Sequence, residues 1–292
     1  MDDKQRQRQT RLSLKGLSIG DAFGQQFFSQ PELAATRELP PYPWTITDDT
    51  VMAVSVVETL EVTHSIDPDF LAQKFAERYV ADPWRGYGGT AHGILQSISK
   101  GVPWRTAAGD VFDGAGSMGN GAAMRAGPIG AWFADDLVAC VENARQSAAV
   151  THAHPDGQAG AIAVAVAAAI ASTLEPNGDP RLLLETAVAH TPDGPTREGL
   201  RQALDVPLSF DPRSAANVLG NGDRIISSDT VPFCLWSAAK SLRSFEDALW
   251  QTVCVMGDRD TTCAIVGSIV ALSVGNTGVP QLWLDHREPL NC

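Results

Sequence analysis

A chain of 292 residues, 44% apolar and 19% charged, can bury a large core, and its length admits one large domain or two ordinary ones. Its formal net charge of -12 excludes broad electrostatic capture of nucleic acid or of an anionic membrane, and suits solubility and cation binding. Five cysteines (Cys140, Cys234, Cys254, Cys263, Cys292) stand far apart with no CxxC pair, which argues against a disulfide framework or a thiolate zinc site and fits a reducing cytoplasm.

The first eleven residues are polar and lack the apolar core of a secretory signal. Beyond them, apolar residues recur at spacings of three and four while alternating β-branched runs are scarce, so an all-α fold is expected. Helices are predicted over 12–27, 49–63, 69–79, 90–99, 121–133, 137–150, 157–173, 180–190, 196–204, 231–241, 245–255 and 261–274. Proline and glycine mark the turns between them, as in Pro40-Pro41-Tyr42-Pro43 and Glu175-Pro176-Asn177-Gly178. None reads as a flexible linker, so residues 1–292 form one domain, a compact multi-helix bundle. Segment 157–173 is apolar nearly all round, which places it at the centre of the bundle. Its longest apolar run, 159–171, is short for a membrane span.

Two acidic motifs stand immediately before apolar helices. Thr47-Asp48-Asp49-Thr50 leads into Val51, Met52, Val54, Val57 and Leu60, and Asp258-Arg259-Asp260-Thr261 leads into Ala264, Ile265, Val266, Ile269 and Leu272. Such residues cap helices by accepting hydrogen bonds from free amides. One cap needs one side chain, whereas the first motif offers four in succession, and the surplus oxygens require another partner. Carboxylate and hydroxyl ligands suit magnesium, manganese or calcium better than zinc or copper. An EF-hand is excluded, because a loop starting at Asp258 has Cys263 at its sixth position and Ile269 at its twelfth.

Between these motifs, the stretch from Phe112 to Gly121 is rich in glycine and runs into a helical segment. It can turn backbone amides toward an anion, although it matches neither a Rossmann nor a Walker pattern and an ordinary tight turn fits it equally well. Thr151-His152-Ala153-His154 enters the central helix. Histidines two apart do not make the HExxH zinc motif; they suit a cap or turn, with His152 a candidate donor to phosphate or ribose.

In this order the segments resemble the ADP-ribosylglycohydrolase family. The resemblance rests on Gly16-Leu17-Ser18-Ile19-Gly20-Asp21-Ala22-Phe23-Gly24, on Thr47 to Thr50, on the run from Gly116 to Met124-Arg125, on Thr151-His152, and on Gly257 to Thr261, spanning roughly residues 12–275. It implies an all-α fold with two magnesium ions, replaceable by manganese, at the base of a cleft for ADP-ribose. By that resemblance Thr47, Asp48, Asp49, Asp258, Asp260 and Thr261 hold metal, and Asp48, Asp49 and Asp260 also carry catalysis. Gly116, Ser117, Met118, Gly119 and Asn120 match the loop around the diphosphate and distal ribose, Phe112 and Met118 flank the adenine, and His152 contacts ligand. Gly89 and Thr90 fall along the cleft.

The implied activity is magnesium-dependent hydrolysis of the glycosidic bond between ADP-ribose and a modified residue, arginine by family analogy. The partner is then ADP-ribose or an ADP-ribosylated protein, with neither a membrane nor an extended nucleic acid. Such cleavage builds oxocarbenium-like charge at the anomeric carbon and requires an activated water and a protonated leaving group. Two departures stand out. Phe28 occupies the place of a glutamate common in active relatives, with Glu32 the nearest carboxylate, and Arg259 replaces a small hydroxyl residue between the two aspartates. They keep alive an alternative, an ADP-ribose-binding pseudoenzyme without turnover.

Overall fold

The apolar periodicity produces sixteen α-helices and no strand over residues 1–290, the residues described in this computed structural model. In chain order they are α1 (Asp3–Gln26), α2 (Leu33–Thr36), α3 (Asp48–Thr63), α4 (Pro68–Ala81), α5 (Gly89–Ser99), α6 (Trp104–Gly109), α7 (Gly127–Trp132) and α8 (Leu137–Ala149). There follow α9 (Pro155–Thr173), α10 (Leu182–His190), α11 (Pro195–Asp205), α12 (Pro212–Leu219), α13 (Ser227–Lys240), α14 (Phe245–Val253), α15 (Arg259–Gly278) and α16 (Gln281–His286).

Every predicted helix is present except one, and the exception has a tertiary cause. Segment 121–133 is split into a 3-10 turn at Asn120–Ala122 and the short α7. The buried Arg125 side chain donates to the Gly121 carbonyl at 2.7 Å, Pro128 has no amide to continue a helix, and Gly127 lies hard against Ser268. At the other extreme, α1 starts nine residues before the predicted position. Asp2 caps it by accepting from the Gln5 amide at 2.7 Å, and Arg6 ties its polar first turns to the Trp132 carbonyl at 2.6 Å. Helices α2, α6, α12 and α16 fall outside the predicted segments; Asp211 caps α12 and Pro212 begins it.

Helix α9 is the central rod, packed by α7, α8, α10, α13 and α15, with Ala161 through Ala169 essentially without exposure. Both α9 and α15 are long and apolar enough to cross a membrane, yet 78% and 67% of their apolar windows lie buried inside the fold. The most intimate contact joins α1 to α15. A Cβ on Gly16, Gly20 or Gly24 would lie 2.2, 2.1 or 2.2 Å from the carbonyl oxygens of Gly267, Cys263 and Arg259 respectively. Both sets are spaced by four, so one glycine stripe on α1 rides along one backbone row of α15, running the opposite way.

Replacing Gly20 by Ala forces these two backbones apart. The Gly20→Ala protein is expected to lose about 2 kcal/mol or more, as overpacked sites do, read as a lower urea midpoint. Gly109→Ala, where a Cβ meets nothing within 4 Å, serves as the control and should leave the midpoint unchanged.

Candidate active site

The floor of the site is made where α1, α3 and α15 converge. Asp21 on α1 is fully buried, and its Oδ2 accepts from the amides of Thr47 (2.9 Å) and Thr50 (3.2 Å). The Thr47 hydroxyl donates to Asp21 Oδ1 at 2.8 Å, and the Thr50 hydroxyl donates to Oδ2. Asp21 thereby fixes the start of α3 and the placement of Asp48 and Asp49. The sequence motif contains Asp21 without assigning it a role; the available signal is an acid three residues before Gly24, on the flank of the glycine stripe, where burial demands partners.

Capping explains only part of the two acidic motifs. Thr47 caps α3, accepting from the Asp49 amide at 3.4 Å. Asp258 is the N-cap residue of α15 but makes no side-chain cap bond; its Oδ2 accepts from Asn120 Nδ2 at 2.6 Å. Asp49 Oδ1 is buried with no hydrogen-bond partner. Ligand oxygens of Asp21, Asp49 and Asp260 lie within 4.8 Å of one another.

Burial disfavours charge on all these carboxyls, and their proximity adds repulsion. Burial and then the charge of Asp21 push Asp48 up to about 7, and burial and then Asp260 push Asp258 up to about 7. Asp21 and Asp260 rise to about 6, both chiefly by burial, and Asp49 rises well above the ordinary range through burial and then repulsion from Asp260. An oxygen-only cluster of crowded acids with one orphaned oxygen is a donor set that fits a hard divalent cation.

Above the floor lies a cleft of about 430 Å³. Asp48, Asp49, Asp258, Asp260 and Thr261 line it, together with Gly89, Thr90, Phe112, Ser117, Met118, Gly119, Asn120 and His152. Thr47 and Gly116 do not reach the lining. Thr47 sits beneath, spending its hydroxyl proton on Asp21, and Gly116 (φ +76°) is a packing glycine whose Cβ would lie 2.5 Å from the His154 amide nitrogen. Asn120 spans the site, donating also to Thr230 Oγ1 at 3.1 Å, so it joins the glycine loop to the second acidic motif. His152 is held neutral: burial and then the nearby Arg125 charge push its pKa down to about 3.

Loop residues 220–226 close the cleft and were absent from the sequence-based site. Arg224, Ile225 and Ile226 line it. Ile225 adopts φ +55°, a region a β-branched residue avoids, and its side chain stays 61% exposed. Ile225 donates its amide to the Gly222 carbonyl (2.7 Å) and receives the Asn120 amide on its own carbonyl (3.3 Å), which hold the strained turn against the glycine loop.

The two departures from the family pattern meet each other. The Arg259 guanidinium carbon lies 4.5 Å from the Phe28 ring centre, while the side chain donates to the carbonyls of Phe27 and of Gly257, the latter at 3.3 Å. Neither residue lines the cleft, and the exposed Glu32 does not reach it either. Arg259 therefore fastens the end of α1 to the start of α15.

Raised carboxyl pKa values give a signed stability profile without metal. Between about pH 4 and pH 7 the folded state retains protons on Asp21, Asp48, Asp258 and Asp260 that the unfolded state has released, so this contribution to stability falls as pH rises. In chelator, the melting temperature at pH 7.5 is expected to lie below that at pH 5 by on the order of 5 °C. The Asp48→Asn, Asp258→Asn protein should show a flatter profile by calorimetry, and magnesium should restore the wild type at pH 7.5 more than at pH 5.

Residues 1–290 match the ADP-ribosylglycohydrolase family. ADP-ribosylhydrolase ARH3 of Xenopus tropicalis is 28% identical over 316 residues, covering 94% of this chain and 89% of its own length. Human ADP-ribosylhydrolase ARH3 is 27% identical, covering 95% and 88%, and an uncharacterised protein of Archaeoglobus fulgidus is 29% identical, covering 94% and 90%. A solved structure described as an ADP-ribosylglycohydrolase-related protein complex superposes with a TM-score of 0.66 over 98% of this chain and 94% of that chain, and at 24% identity shows the shared fold. The all-α fold and a family match running the length of the described chain lead to one conclusion: the chain belongs to the ADP-ribosylglycohydrolase family and is a hydrolase of that class.

Proposed function

We propose that the cleft binds ADP-ribose and hydrolyses the glycosidic bond joining it to a modified residue, with magnesium held on the acidic floor. The observation that carries this reading is the convergence of oxygen donors from both ends of the sequence beneath a glycine loop, in a chain of this family. Asp48, Asp49, Asp258, Asp260 and Thr261 would hold the metal, with Thr47 supporting them from below. Bound there, magnesium would supply Lewis acidity toward the ribose hydroxyls and water.

The chain's own groups do the rest. The glycine loop receives the diphosphate at Ser117 and Met118, since the Gly119 and Asn120 amides are held by Ser117 Oγ and the Ile225 carbonyl, and the exposed Phe112 and Met118 side chains offer apolar surface to the adenine. Asp48, Asp49 or Asp260 takes a proton from the attacking water, as a carboxylate does in glycoside hydrolysis. Arginine as the attached residue rests on the family resemblance alone. The second reading, binding without turnover, is carried by Phe28.

The direct assay incubates the protein with ADP-ribosyl-arginine protein and, separately, with an ADP-ribosyl-serine peptide, in magnesium and in chelator. Release of ADP-ribose in magnesium, lost in chelator, is the expected result. No release from either linkage sinks the catalytic reading, and saturable ADP-ribose binding under those conditions would establish the binding protein instead. The Asp258→Asn, Asp260→Asn protein should lose at least about 100-fold in kcat/KM, given what even indirect metal partners contribute.

A further inference from the structure

We propose that Arg125 and Thr151 form a proton-ordering relay that fixes His152 in the Nε2–H tautomer, making it an obligate hydrogen-bond donor to an oxygen acceptor in the cleft. Arg125 is then a positioning residue acting through Thr151. It ends the glycine-rich motif of the sequence, and no part of the reaction described above uses its charge.

The position of the ring proton follows from the donors and acceptors around Thr151. Arg125 is fully buried, and a guanidinium can only donate. Its Nη2 donates to the Ser147 carbonyl (2.9 Å) and to Thr151 Oγ1 (3.0 Å), its Nη1 donates to the Gly121 carbonyl (2.7 Å), and the guanidinium carbon lies 4.7 Å from the Phe75 ring centre. Thr151 is buried too, and among the described residues its hydroxyl has two partners, Arg125 and His152 Nδ1 at 2.8 Å. One lone pair takes the arginine proton, which leaves the hydroxyl's own proton a single acceptor, Nδ1. Were Nδ1 protonated, that hydroxyl proton would be buried without a partner, at a penalty of about 1–3 kcal/mol.

The ring proton therefore sits on Nε2. That nitrogen faces the glycine loop: a Cβ on Gly119 would lie 3.1 Å from it and one on Gly121 3.4 Å from it. The neutrality imposed by burial and by Arg125 keeps the ring to one proton near pH 7. One buried guanidinium thus sets both the end of the glycine loop, through the Gly121 carbonyl, and the polarity of the histidine beside it. The acceptor class is a phosphate or ribose oxygen; this last step alone rests on the proposed ADP-ribose site.

The test is a long-range proton–nitrogen correlation spectrum of the His152 ring in the full-length, nitrogen-15-labelled protein at pH 7, without ligand. Nε2 should resonate as the protonated nitrogen and Nδ1 as the bare one. A protonated Nδ1, alone or in an imidazolium, overturns the relay whether or not ADP-ribose binds. Thr151→Val removes the hydroxyl while keeping the shape; it should mix the tautomers and weaken ADP-ribose binding about 5- to 10-fold by calorimetry, and Thr151→Ser should restore both. A folded Thr151→Val protein with wild-type tautomer and affinity contradicts the relay. Failure of the wild type to bind ADP-ribose would remove the proposed ligand while the ring spectrum still decides the tautomer.

Discussion

Everything at the site hangs on the backbone contact between α1 and α15. Three glycines four residues apart let α1 lie directly on the carbonyl row of α15, closer than any side chain would permit. That approach brings Asp21 to Asp260, two residues from opposite ends of the chain. Asp21 then anchors Thr47 and Thr50, and through them the first turn of α3, so that the second acid pair stands beside the first. Arg259 completes the joint by gripping the Phe27 carbonyl and the Phe28 ring.

A joint this tight serves a floor that is costly to keep. Five crowded carboxyls, three buried and two half-buried, rise in pKa through burial and mutual repulsion, Asp49 retains an orphaned oxygen, and Ile225 is held in a conformation its side chain resists. The raised carboxyls, the orphaned Asp49 oxygen and the strained Ile225 all border one cleft, while the α9 core is closely packed and almost wholly apolar. The proposed cation and ADP-ribose would offset the repulsion and burial of these carboxyls.

How much of this could be read from residues alone follows from distance along the chain. Helical periodicity is a local property, so the all-α class and the central position of segment 157–173 were legible. The order of the motifs also exposed the acids, the glycine loop and His152. What escaped depends on partners far away: Asp21 is defined by threonines some turns later, Arg125 by Ser147 and Thr151, and the break in segment 121–133 by the carbonyl that Arg125 holds. Phe28 and Arg259 looked like two separate anomalies, and only their contact reveals one structural unit. Loop residues 220–226 carried no chemical motif at all, since the strain at Ile225 belongs to its backbone.

On the proposal made above, the α1–α15 joint assembles a divalent-cation site from acids at both ends of the chain. Diffraction from crystals soaked in manganese, collected where manganese scatters anomalously, tests it directly. Anomalous density among Asp48, Asp49, Asp258 and Asp260 is the expected result. Its absence there at saturating manganese, or its appearance only elsewhere, would contradict the account.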